Sequence, residues 1–295
     1  MWSRLQTLEP KVALEAGEPR RAEFAEYRAD RELAARFLER PLEPAATGRR
    51  AAELPACQMA SLVRMFRLVP GECGYAKLEA LAAVFRCVPR GDIVEIGSLF
   101  GRSAVALAYL ARHYRTGRLL CVDPWKREET LQGIPIVDTL SIELDIDEVF
   151  GAFCVNLAPF SGLVNYLRLR STDGARIYRS QEPVCSEEFG KTPYTGRIAL
   201  LHIDGNHALD AVRADIAAWS RYVRPRGWIV LDDYVWPFGD GPKVAAEEFL
   251  REQTASLATA FVAGGALFIQ LASSDATRST SGTVSPRKCG RPSTR

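Results

Sequence analysis

Hydrophobic and polar positions change texture along the chain. The first fifty residues are dense in mixed charge, and over 23–38 the apolar residues recur at the spacing of an amphipathic helix. Two more helical patterns follow, at 57–68 and 75–87, separated by Pro70-Gly71. From residue 91 short apolar runs alternate with helical stretches, as in a parallel α/β sheet. Strands are predicted over 92–97, 118–123, 165–170 (the weakest), 197–204 and 227–232. Helices are predicted over 102–114, 207–223 and 241–253. In the second of these, Leu209, Val212, Ile216, Trp219 and Val223 form one apolar stripe. Two last strands, 258–262 and 266–271, flank Gly264-Gly265 and predict a hairpin. Together these elements predict an α/β fold. It is a doubly wound, Rossmann-like, seven-stranded and mostly parallel sheet, with a C-terminal antiparallel hairpin and an N-terminal helical cap. Residues 1–74 are expected to cap the site or build an oligomer contact, 75–272 to form the sheet domain, and 273–295 a disordered tail.

Composition adds limits. The chain has 295 residues, 47% hydrophobic and 25% charged, enough apolar material for a full core. It contains no apolar run of the roughly 18 residues a membrane helix needs. The N-terminal stretch lacks the apolar centre of a signal peptide. Seven cysteines are scattered without a CxxC pair, which points to reduced thiols and a cytoplasmic protein. The net charge of +2 is misleading. After Ala272 a Ser/Thr/Gly/Pro-rich tail carries five Lys/Arg against one Asp, so the rest of the chain is net −2. Nucleic acid therefore loses its electrostatic support as a partner.

Ligands of doubly wound sheets bind beyond the carboxyl ends of the strands. After the first predicted strand comes Glu95-Ile96-Gly97-Ser98-Leu99-Phe100-Gly101-Arg102-Ser103, leading into a helix. The glycines permit a tight turn, and the helix N-terminus offers unpaired N–H groups to an anion. The spacing G-x-x-x-G departs from the dinucleotide fingerprint G-x-G-x-x-G. Asp123 ends the second strand, near the distance along the chain at which an acid binds ribose hydroxyls. Loop and acid together point to an adenosine-type cofactor. Asp204 follows the fourth strand, and Asp232 and Asp233 follow the fifth. Three converging carboxylates are costly unless a cation or a proton intervenes, and oxygen donors suit Mg²⁺ or another hard divalent ion. His207, expected on the first helical turn beside Asp204, is a candidate base. His202 reads as a core histidine and His113 as a surface one. Trp236 and Phe238 are candidate pocket walls or core aromatics. Asp145, Asp147, Glu148, Glu187 and Glu188 are a candidate acidic rim.

These residues resemble the motifs of class I S-adenosylmethionine-dependent methyltransferases. Glu95–Ser103 looks like their first motif and Asp123 like their second-strand acid, over about 75–272. The resemblance implies that Glu95, Gly97, Ser98, Gly101 and Ser103 bind the cofactor and that Asp123 holds its ribose. Asp173 takes the place of an adenine-contacting residue. The stretch from His202 to Phe249 is similar to sugar methyltransferases of antibiotic biosynthesis. These include metal-dependent macrolide-sugar O-methyltransferases and a gentamicin-pathway aminoglycoside N-methyltransferase. That likeness implies Asp204, Asp232 and Asp233 as metal ligands, with His207 and Asp204 catalytic. It departs at Asp232, where the macrolide enzymes can carry Glu, and at Arg226, where many relatives carry Gly.

The resulting expectation is methyl transfer to an amino group of an aminoglycoside-type antibiotic or precursor, metal-assisted, by a homo-oligomer. The alternative is O-methylation of a sugar hydroxyl on a macrolide or other natural product. An NAD(P)-dependent oxidoreductase, a non-catalytic binding module and a metal-dependent hydrolase remain as competing classes.

Overall fold

The computed structural model of the chain describes residues 24–132 and 135–273. The first 23 residues and the basic tail lie outside the described residues, so the readings placed on them are not addressed below. In chain order the helices are α1 (Ala25–Glu39), α2 (Ala56–Leu68), α3 (Tyr75–Phe85), α4 (Arg102–Tyr114), α5 (Arg127–Thr130), α6 (Pro135–Glu143), α7 (Ile146–Leu157), α8 (Ser171–Ser180), α9 (Leu209–Trp219) and α10 (Gly241–Gln253). The strands are β1 (Asp92–Ile96), β2 (Leu119–Val122), β3 (Val164–Leu167), β4 (Val184–Ser186), β5 (Gly190–Thr192), β6 (Ile198–Ile203), β7 (Val223–Leu231), β8 (Leu257–Ala263) and β9 (Ala266–Leu271).

Seven strands form one sheet in the order β3-β2-β1-β6-β7-β9-β8. β1 runs parallel to β2 and β6, and β6 to β7, whereas β9 is antiparallel to both β7 and β8. This is the expected sheet with its terminal hairpin. Every residue of β1, β2 and β6 is buried, because helices cover both faces. Alternate side chains enter two cores. Ile93, Leu119, Leu200 and Phe268 join α1–α4 and α7; Val94, Leu120, Leu201 and Ile269 join α8–α10. Ala34, Phe37, Leu62 and Phe66 of α1 and α2 belong to the first core, so the N-terminal helices share the body of the domain.

Three details depart from the sequence reading. The small β4–β5 pair, α7 and α8 were not foreseen. β7 begins at Val223, four residues early, because Val223 pairs with Ile198. α9 begins at Leu209, not at 207, so His207 precedes the helix: Asn206 Oδ1 accepts from the Ala208 N–H at 2.8 Å and holds an extended entry. No helix among the described residues is long and apolar enough to cross a membrane.

The chain builds outward from β1 to β2 and β3, then returns through β6 on the other side of β1. The carboxyl ends of β1 and β6 therefore frame the topological switch point, where such sheets bind ligands.

Candidate functional site

At this switch point the loop after β1 and the loop after β6 are packed backbone to backbone. The Asp204 N–H donates to the Ile96 carbonyl at 2.8 Å. Gly97 adopts φ 78°, and a Cβ on it would collide with the Asp204 carbonyl and crowd Gly205. Glycine is thus required here by both conformation and space. Gly101, at φ 85°, leads into α4, and a Cβ there would strike Leu157 and Phe153. Asp123 sits across the loop. One oxygen accepts from the N–H groups of Ser98 and Leu99 at 2.9 and 3.1 Å; the other accepts from Trp125 N–H at 2.8 Å. Burial pushes the Asp123 carboxyl up despite these donors.

Parallel register places Glu95 of β1 beside His202 of β6 and Cys121 of β2. The Glu95 carboxylate is fully buried. It accepts from Ser98 Oγ at 2.6 Å and faces His202 Nδ1 at 3.1 Å. This corrects the expectation of direct cofactor contact. Glu95 points into the domain interior and braces the loop through Ser98. Ser103 is likewise buried in α4.

His202 is more than a core histidine. Its other nitrogen, Nε2, is buried without a hydrogen-bond partner and lies 3.9 Å from both Asp204 Oδ2 and Asp232 Oδ2. Between those carboxylates reaches Lys77 of α3. Its ammonium lies 3.3 Å from Asp204 Oδ2 and bonds Asp232 Oδ2 more closely still. Lys77 is 2% exposed. Burial, the largest single influence, pulls its ammonium down, but Asp204 and the other negative groups around it together hold the amine above the ordinary lysine value. Burial likewise works against ionised Asp204, yet Lys77 and His202 hold its carboxyl below the usual range.

Asp233 turns away from Asp232. Its backbone is left-handed, at φ 53°, and its N–H donates to Asp232 Oδ1 at 3.0 Å. Aspartate tolerates this conformation better than most residues. The turn sends Asp233 Oδ2 to His207 Nε2, 2.5 Å away. His207 Nδ1 meets Gln132 Oε1 at 2.6 Å, and Trp236 stacks on the imidazole with centroids 4.2 Å apart and planes 14° apart. Phe238 packs edge-on against Trp236.

Among the described residues, potential cation donors fall into two sets sharing Asp204: His202–Asp204–Asp232 and Asp204–His207–Asp233. The three acids expected to act as one triad are therefore split, because the side chains of Asp232 and Asp233 diverge. Asp173 lies in the first turn of α8 and pairs with Arg176 at 2.5 Å. The expected acidic rim is engaged elsewhere: Asp145 caps α7, Asp147 pairs with Arg168, and Glu188 accepts from Tyr166. Glu187 is exposed.

Lys77, His202 and Gln132 escaped the sequence reading. Lys77 had a signal: it is a lone cation in a helix apolar nearly all round, Tyr75–Phe85. His202 had one in strand parity, since it shares a face with Leu200 and with Glu95 in register. Gln132 had none.

Residues 94–234 match the model of a family described as a methyltransferase domain. This span holds the glycine loop and all three acids but not Lys77. No curated protein matches the chain. Among solved structures, it is similar to a calicheamicin methyltransferase, CalS11, at 14% identity and TM-score 0.50, over 86% of this chain and 93% of that one. A second CalS11 structure, named as a TDP-rhamnose 3'-O-methyltransferase, aligns at 16% identity and TM-score 0.45, over 86% and 95%. The O-methyltransferase NovP aligns at 14% identity and TM-score 0.47, over 85% and 99%. The alignment with CalS11 at TM-score 0.50 shows a shared fold.

Proposed function

We propose that this methyltransferase-domain chain transfers a methyl group from S-adenosylmethionine to a hydroxyl of a sugar-bearing small molecule. One observation carries the reading: Gly97 packs against Asp204, so the loop suited to the methyl donor adjoins the loop bearing the acids and His207.

The fit to the donor rests on the two left-handed glycines, the start of α4, and Asp123 facing the loop. Gly97–Gly101 and Asp123 would hold it. Bound there, the donor supplies an electrophilic methyl, so the chain's tasks are to position the acceptor, exclude water and take up a proton.

His207 serves as the base. Asp233 orients its Nε2 side and stabilises the imidazolium formed, as in other His–Asp pairs. As a base His207 keeps its proton on Nε2, towards Asp233, and an acceptor hydroxyl would displace Gln132 Oε1 and donate to the Nδ1 lone pair. Trp236 covers one face of the ring and keeps water from it. A hydroxyl needs such a base during attack, whereas an amine needs only to arrive neutral. The site therefore favours O-methylation over the N-methylation of an aminoglycoside. The printed activity of CalS11, on a TDP-rhamnose hydroxyl, is an acceptor of the proposed kind.

The donor set also fits a divalent ion in part. Asp204 and Asp233 would hold it on the acceptor side, whereas Asp232 is engaged by Lys77. Such an ion would acidify a chelating hydroxyl.

Thermal-shift titration with S-adenosylhomocysteine and, separately, with NAD(P) tests the cofactor. Stabilisation by the first alone is expected. Stabilisation by NAD(P) alone would move the chain to the oxidoreductases.

A further inference from the structure

A buried lysine crossing from α3 to two strand tips is not explained by methyl transfer as derived above, and Lys77 lies outside the segment that matches the methyltransferase family. Three observations define its surroundings. First, its ammonium bridges Asp204 Oδ2 and Asp232 Oδ2. Second, His202 Nε2 is buried without a hydrogen-bond partner and aimed at the same two oxygens, 3.9 Å from each. Third, Lys77 is fixed from behind. The hairpin turn at Gly264, φ 57°, lies so close to the Lys77 backbone that a Cβ on the glycine would collide with it.

His202, Asp204 and Asp232 thus present one nitrogen and two oxygens within 4.8 Å of one another. Glu95 orients the histidine from its far side at 3.1 Å, as a carboxylate does behind a metal-bound imidazole. One nitrogen with two carboxylates is a donor set that suits transition ions as well as Mg²⁺. The lysine ammonium lies between the two carboxylates of that set.

We propose that Lys77 is the resident cation of this site: its ammonium fills the place between Asp204 and Asp232 that a divalent ion would bridge, and it confines any ion to Asp204 and Asp233 on the acceptor side. An ammonium and a divalent ion cannot share the position, by bulk or by charge. Lys77 offsets one of the two negative charges of Asp204 and Asp232, whatever the metal supply. The inference concerns cation binding alone and holds whether the acceptor is a hydroxyl or an amine.

Direct metal titration tests it. Mn²⁺ binding is followed by electron paramagnetic resonance and calorimetry, without substrate, on the full chain and on Lys77→Met. The variant is expected to bind Mn²⁺ at least about ten-fold more tightly, since it loses a positive charge beside the ligands. Equal or weaker binding by folded Lys77→Met overturns the proposal. Should that variant fail to fold, the unaltered protein labelled with ¹⁵N-lysine decides. The Lys77 Nζ protons are expected to stay protected from exchange when Mg²⁺ is added, although an ion on neighbouring Asp204 shifts the resonance. Loss of that protection with Mg²⁺ would show that an ion displaces the lysine and would overturn the assignment.

Discussion

His207 Nε2 lies 2.5 Å from Asp233 Oδ2, and the contact exists because Asp233 takes a left-handed backbone that parts it from Asp232. Two adjacent acids thereby serve different partners, Asp232 the buried lysine and Asp233 the histidine. Replacing His207 with Ala is expected to lower kcat by about 10²–10⁴-fold, the usual contribution of a general base. Affinity for S-adenosylhomocysteine is expected to stay within about three-fold. Asp233→Asn should reproduce most of the kcat loss. Steady-state kinetics paired with calorimetry on the cofactor product checks the split; parallel losses in both would assign His207 a structural role.

Gly97 tests the contact between the two loops. Gly97→Ala places a methyl against the Asp204 carbonyl and strains a left-handed residue. We expect destabilisation of about 2–4 kcal/mol, as for overpacking combined with backbone strain, and loss of the thermal shift with S-adenosylhomocysteine. Denaturant unfolding with and without ligand measures both. Full retention of both would remove the packing argument.

Asp215 of α9 supplies a pH signature. Burial raises its carboxyl to about 6, against which Ser171 is a minor counterweight. A carboxyl raised in the folded state binds its proton more tightly there than in the unfolded chain. Its neutral form costs nothing below about pH 4, and stability is lost as pH rises from 4 to 6. Asp215→Asn is therefore expected to stabilise the protein by about 1–3 kcal/mol at pH 7.5, with the gain vanishing near pH 4. Thermal melts across that range check the sign.

Chelation separates catalytic from structural roles for an ion. Because Lys77 already bridges Asp204 and Asp232, EDTA is expected to leave Tm and S-adenosylhomocysteine binding unchanged. Turnover is expected to fall and to return with Mg²⁺, through Asp204 and Asp233. A drop in Tm on chelation would mean that an ion holds the fold together.

Much of this architecture was legible in the sequence, for physical reasons. Strands buried on both faces leave unbroken apolar runs such as those of β1, β2 and β6. The ligand end of a parallel sheet follows from strand direction, which led to the glycine loop, Asp123, Asp204, Asp232 and Asp233 before any coordinates. What was not legible depended on side-chain direction across long separations. The split of Asp232 from Asp233 follows from one left-handed residue. Motif spacing marks Glu95 as a cofactor ligand, whereas strand parity turns it inward beside His202. The short β4–β5 pair spans too few residues to show a period. Lys77 meets its acids across 127 and 155 positions, beyond the reach of local pattern.

The most direct test is a transfer assay with labelled S-adenosylmethionine against nucleotide-linked sugars, glycosylated macrolides and aminoglycosides, with products located by mass spectrometry and NMR. The account predicts a methyl on a sugar oxygen, formed by the unaltered protein and nearly absent with His207→Ala. A methyl found on an amino group, or equal O-methylation by His207→Ala, would contradict it.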